Sequence, residues 1–171
     1  HVIIAPLLLP LRAHPSMMPT ESAHQIQIDG PLDDAVTEQD LVVVNPPAAF
    51  FASASVLEWA PEEEPMPRHV RILTSSLLGS VEVHRSGEKR LVVRPEYGYI
   101  AWILDGLFRS QKHPFSPGDT VELTGMTVEV TKLTADGRPA EAAFTFSVPL
   151  EDHSLRWLQH KDGRFVPFSP P

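Results

Sequence analysis

Residues 126–148 read MTVEVTKLTADGRPAEAAFTFSV, and this stretch decides what kind of fold the chain can adopt. Two runs in which apolar and polar residues alternate flank an Asp136-Gly137 pair. Alternation with a period of two puts every second side chain on one face, the signature of a half-buried strand. Two such runs around Asp-Gly predict a hairpin. Pairing Val130 with Phe144 centres an odd-length loop on Gly137, a residue that tolerates positive φ. The tip therefore reads as a corner and not a binding loop. Arg138 is left without a structural reason, and its replacement by alanine is expected to be nearly neutral.

The same devices recur outward from this hairpin. TVELT (120–124) alternates in one parity, Gly125 intervenes, and Met126, Val128 and Val130 resume in the other, so a bulge or tight bend is expected at Gly125. SVEVHRSGEKRLVVRP (80–95) is a hairpin whose sharing of faces, with Val83 opposite Leu91, centres it on Gly87. SLRWLQHKDGRFVPF (154–168) turns at Asp162-Gly163. HVRILT (69–74) and HQIQI (24–28) alternate as well. LVVVN (41–45) is apolar without interruption and β-branched, which predicts a strand buried on both faces.

Two stretches point to helix. PAAFFASASVLEWA (47–60) starts on Pro47 and places Phe50, Ala54 and Leu57 on one face before Pro61 stops it. Residues 96–119 read as a short strand followed by a helical turn crossing the core. Eighteen prolines in 171 residues keep regular elements short and favour strands joined by turns. About seven to nine short strands punctuated by turn signals predict a mainly β fold, an antiparallel β-sandwich or partly open barrel with one or two short helices. Residues 24–171 form a single β-rich domain in this reading, and residues 1–23 an apolar, Pro-rich N-terminal arm. Val2–Leu11 within it is too short to span a bilayer alone, and is either a packed arm or the remnant of a transmembrane helix.

Composition excludes several chemistries. Fourteen basic against 22 acidic residues, without a Lys/Arg cluster, do not suit a phosphate backbone, so nucleic acid is not an expected partner. The absence of cysteine excludes disulfides, thiolate metal sites and cysteine nucleophiles. No G-x-S-x-G elbow marks a hydrolase, and no G-x-G loop marks a nucleotide cofactor. No cofactor is expected.

Three features could still carry function. The strand running into Asn45-Pro46-Pro47 resembles the N-P-P-[YF] element of amino-group methyltransferases, where the Asn holds the target amine and the next aromatic stacks on the base. Here Ala48 stands in the aromatic position, with Phe50 and Phe51 nearby. His14, Met17, Met18 and His24 lie within eleven residues, and imidazole with thioether suits copper, the one candidate metal set. Arg94, Tyr97, Tyr99 and Trp102 are residue types that dominate binding hot spots and make a candidate ligand or partner surface, unless Tyr99 and Trp102 fill the core.

Gly125-Met126-Thr127-Val128, Asp136-Gly137-Arg138-Pro139 and the closing Trp157, Asp162 and Gly163 carry a resemblance of residues 115–168 to the tails of uncharacterised bacterial multi-pass membrane proteins, which end in a soluble C-terminal domain. The resemblance implies a membrane-associated domain on the extracytoplasmic face. It implies no activity. The resulting expectation is a non-catalytic, soluble binding or assembly domain whose partner is a protein or its own membrane region. The alternative is a small enzyme of methyltransferase type using Asn45-Pro46-Pro47.

Overall fold

The computed structural model describes residues 34–47, 65–101 and 113–171. The predicted strand at 24–28, the candidate metal set His14, Met17, Met18 and His24, Trp102, and the predicted helix at 47–60 apart from Pro47 lie outside them. Nine strands are present among the described residues: β1 (Asp40–Val43), β2 (His69–Ile72), β3 (Val81–Gly87), β4 (Arg90–Pro95), β5 (Thr120–Leu123), β6 (Met126–Leu133), β7 (Pro139–Phe146), β8 (Leu155–Lys161) and β9 (Arg164–Pro167). A 3-10 turn at Asp34–Glu38 leads into β1.

The strands form two sheets, ordered β2-β1-β8-β9 and β3-β4-β7-β6-β5, and do not close into a barrel. The fold is mainly β and consistent with a β-sandwich, as the alternating pattern predicts. The five-stranded sheet is antiparallel throughout. The four-stranded sheet contains a feature that turn signals could not reveal: β1 pairs in parallel with both β2 and β8.

Between the sheets lies the main core. Val42 and Val44, Leu155 and Trp157 from the smaller sheet meet Leu91, Val93, Met126, Ala142, Phe144 and Phe146 from the larger. Each fully buried aliphatic side chain contributes roughly 1.5–3 kcal/mol. Trp157 packs edge-on against Phe146, ring centroids 5.3 Å apart, and its indole N–H donates to the Leu150 carbonyl at 2.8 Å. That bond satisfies the polar end of a ring taken out of water. On the other face of the smaller sheet, Leu41, Val43, Leu158 and Phe165 form a second buried cluster. β1 is thus covered on both faces, which is why its sequence does not alternate.

The turns follow the glycines, with two corrections. Gly125, at φ +75°, closes a two-residue turn in which Leu123 faces Met126, so the parity flip is a tight bend. Asp162 and Gly163 both have positive φ, as a two-residue primed turn between Lys161 and Arg164 requires. In the opening hairpin Gly137 has φ +81° within the loop Thr134–Arg138, but Val128 and not Val130 faces Phe144. Irregular pairing between Val130 and Leu133 absorbs the difference. The predicted centre at Gly87 is displaced: Val83 faces Val93, Gly87 belongs to β3, and the turn is Glu88-Lys89. A register shift between Arg85 and Gly87 accounts for it, because an extra residue there moves the turn along the chain.

Candidate functional site

The densest polar cluster among the described residues forms where β1 and β2 begin. Parallel pairing sets Asp40 level with His69, so Arg68, His69 and Arg71 all fall beside the Asp40 carboxylate. Arg68 Nε donates to Oδ1 at 2.9 Å, His69 Nδ1 lies 2.8 Å from Oδ1, and Arg71 Nε donates to Oδ2 at 2.8 Å. Arg71 Nη2 also donates to the backbone carbonyl of Thr124, in the turn after β5. Asp40 is 4% exposed and Arg71 7%.

Burial pushes the Asp40 carboxyl up, but hydrogen bonds from His69, Arg68 and Arg71 outweigh that effect and hold it below the ordinary carboxylate range. A carboxylate gripped this way stays ionised and has its lone pairs committed. It is suited to tying two sheets together, not to accepting a proton from a substrate.

Asn45, two residues after β1, has an equally occupied side chain. Its Nδ2 donates to the His160 carbonyl at 3.2 Å, and its Oδ1 accepts from the His160 N–H at 2.9 Å. The amide extends the backbone ladder from β1 to β8 by one step. Both ends of the group that would hold a target amine are engaged within the fold.

The predicted surface residues separate in space. Arg94 is exposed, with a guanidinium nitrogen 3.9 Å from Glu82. Tyr97 is 55% exposed. Tyr99 is half-buried: it packs against the main core and donates to the Val93 carbonyl at 3.3 Å. Burial, with the charge of Glu141 adding to it, pushes the Tyr99 phenol far up. Arg138 binds the backbone at both tyrosines: its Nη1 donates to the carbonyls of Tyr97 and Tyr99 at 3.0 and 3.1 Å, while its Nε donates to Asp136 at 2.8 Å. Arg138 therefore has the structural role that the sequence did not reveal. It braces the turn after β4 against the hairpin loop.

The loop that packs on Tyr97 through Gly79 carries two side chains that sequence reasoning passed over. Leu77 and Leu78, in the loop between β2 and β3, are both exposed. A Cβ built on the neighbouring Gly79 would come within 2.9 Å of the Tyr97 ring, so this loop rests directly on the tyrosine. The loop is fastened at both ends. The Ser80 N–H and hydroxyl donate to Glu96 at 3.0 and 2.9 Å, and the Glu96 N–H donates back to the Ser80 carbonyl at 2.9 Å. At the other end, the Ser76 N–H donates to Pro46 and its hydroxyl to the Asn45 carbonyl, each at 2.9 Å. The available signal was two adjacent leucines within the turn-like LTSSLLGS, where exposed apolar residues have no packing role.

No family model, curated protein or solved structure matches the chain. Among the described residues no helix is long and apolar enough to cross a membrane.

Proposed function

We propose that the chain is a non-catalytic binding or assembly domain of a membrane-associated bacterial protein, on the extracytoplasmic face, and that it recognises a protein partner through Leu77, Leu78 and Tyr97. The observation that carries this reading is an exposed trio of large apolar side chains on two loops fastened to each other by Ser80 and Glu96. Loops ordered before binding lose little entropy on docking, and tyrosine is among the residue types enriched at the energetic centre of an interface. The membrane association and its sidedness rest on the resemblance of residues 115–168. The methyltransferase alternative draws no support from Asn45, whose amide is held by His160.

The test is a photo-crosslinking amino acid placed at position 97 of the full-length protein in its own cells, with position 162, in the turn between β8 and β9, as control. A discrete adduct from 97 alone, in the membrane fraction, is expected. No adduct, or the same adducts from both positions, overturns the recognition surface. An adduct found only away from membranes overturns the localisation.

A further inference from the structure

Among the described residues the two sheets have four edge strands, and three of them carry a device that discourages pairing. β3 has an irregularity between Arg85 and Gly87, β9 contains Pro167, and β2 carries the buried charge of Arg71. β5 has no lysine, no proline and no irregularity in its pairing with β6. Its side chains are uncovered on the core side too. Val121 faces Val128, which faces Phe144; Leu123 faces Met126, which faces Phe146. Directly opposed residues share a face, so both belong to the layer that fills the sandwich. Yet Val121 is 59% and Leu123 48% exposed, while Phe144 and Phe146 are buried. The core layer thus ends in an open ledge beside a free backbone edge.

We infer that β5 is the seat of a homodimer, in which β5 of a second copy of this chain pairs with it antiparallel, Val121 against the partner's Val121. The backbone supports this register. The Val130 N–H donates to the Asp119 carbonyl, so Asp119, Val121 and Leu123 bond toward β6, and Thr120 and Glu122 turn their N–H and C=O groups outward. With Val121 on the two-fold axis, Thr120 of each copy meets Glu122 of the other, and each such pair exchanges both N–H···O bonds. The two ledges then join, valine against valine. Centring the pair on Glu122 instead opposes two carboxylates, and centring it on Thr120 leaves Leu123 outside the pairing. Charge favours the valine-centred register as well. The partner's Asp119 falls opposite Leu123, one residue from the Thr124 carbonyl that Arg71 holds. Arg71 and Arg68 share the single carboxylate of Asp40, so this group is net cationic. Each copy therefore sets a carboxylate toward the other's cationic group. A four-residue strand is a small contact beside the roughly 1,200–2,000 Å² of a stable complex, so the dimer is weak and concentration-dependent. This inference is independent of the Leu77–Tyr97 surface.

Because the chain has no cysteine, a single one reports on the register. At the axis, the two Val121 Cα atoms stand about 4.5 Å apart in a non-hydrogen-bonded pair, within disulfide range. Leu123 and the partner's Leu123 stand well beyond the roughly 7 Å limit. In a glutathione redox buffer, the full chain with Val121→Cys should form disulfide-linked dimer at least about tenfold faster than with Leu123→Cys, which is similarly exposed. Equal rates, or faster linkage at position 123, overturn the inference. Sedimentation of the unmodified chain should show a monomer–dimer equilibrium. Glu122→Pro removes an outward N–H without touching the ladder to β6, and should weaken that dimer at least about tenfold. A wild-type chain that stays monomeric up to about millimolar concentration, where the weakest specific complexes form, overturns the inference, as does a folded Glu122→Pro chain that dimerises equally well. Hydrogen exchange on the unmodified chain does not depend on any variant folding. The amides of Thr120 and Glu122 should exchange more slowly as concentration rises. Fast exchange at every concentration overturns the pairing, and so does slow exchange at every concentration, which marks an edge already covered within one chain.

Discussion

Arg71 holds its guanidinium between two sheets, bonded at 2.8 Å to the Asp40 carboxylate on β1 and, through Nη2, to the carbonyl of Thr124 beyond β5. Water cannot stand in for the Asp40 carboxylate, because both charged side chains are buried. Removing the carboxylate leaves a buried cation without its counter-charge, a change that costs about 3–5 kcal/mol. Asp40→Ala should therefore be among the most destabilising polar substitutions in the chain, as read by urea unfolding at neutral pH. A loss under about 1 kcal/mol would show that Arg71 finds another anion.

The same carboxylate makes a pH signature. Its folded pKa is depressed, so its contribution to stability is present above its unfolded value of about 4 and is lost as pH falls through the folded value. Other carboxyls contribute in acid, since Arg138 holds Asp136 down to about 2 and Lys132 holds Glu141 below its ordinary range. The difference between wild type and Asp40→Asn isolates the one group. It should be constant near neutrality and shrink below pH about 4. A difference that stays constant through the acid range contradicts the assignment.

Arg138→Ala removes donors from the carbonyls of Tyr97 and Tyr99 as well as the contact with Asp136. With the side chain partly exposed, water compensates in part, and a loss of about 1–2 kcal/mol is expected. Thermal denaturation measures this, and a neutral outcome would restore the sequence-based expectation. The substitution should also loosen Tyr97, visible as increased backbone exchange at residues 96–99.

Asn45→Ala strands the His160 N–H and carbonyl between β1 and β8. A stability loss of about 1–3 kcal/mol should follow. S-adenosylmethionine should not raise the melting temperature of the wild-type chain. A shift that Asn45→Ala abolishes would instead assign this residue to a methyltransferase site.

Two glycines should respond oppositely. Gly137 sits at φ +81° with open space around it, so Gly137→Ala costs about 1–2 kcal/mol through backbone strain alone. Gly87 lies within β3 without positive φ, and the nearest atom to an added Cβ is 3.9 Å away, an ordinary contact. Gly87→Ala should be neutral or stabilise by up to about 1 kcal/mol. Equal effects at the two positions, in paired melting curves, would contradict the turn at Glu88-Lys89.

Much of this architecture could be read from local pattern. Period-two alternation is a property of each strand by itself, so β3, β4, β6 and β7 were visible as β elements, and the Asp162-Gly163 turn was visible from its chemistry. Register was less legible. Val83 with Leu91 and Val83 with Val93 satisfy the same alternation, and only the shift at Arg85–Gly87 distinguishes them. The surface residues illustrate the same limit. Tyr97 and Tyr99 are two apart and equally aromatic, yet one is exposed and the other half-buried against the core, with Gly98 at positive φ between them and Arg138 bonded to both carbonyls.

By itself the sequence determined that the chain is built of short strands, where several of them turn, and that β1 is covered on both faces, since each of these follows from side-chain period and backbone preference within a few residues. The tertiary structure alone decided that β1 lies in parallel between β2 and β8. Asp40 and Arg71, 31 positions apart, have nothing in their local sequence that links them. Their pairing exists because the parallel register brings the two strands level and the packing of the sheets excludes water from the charges, and both are long-range effects that no local pattern records.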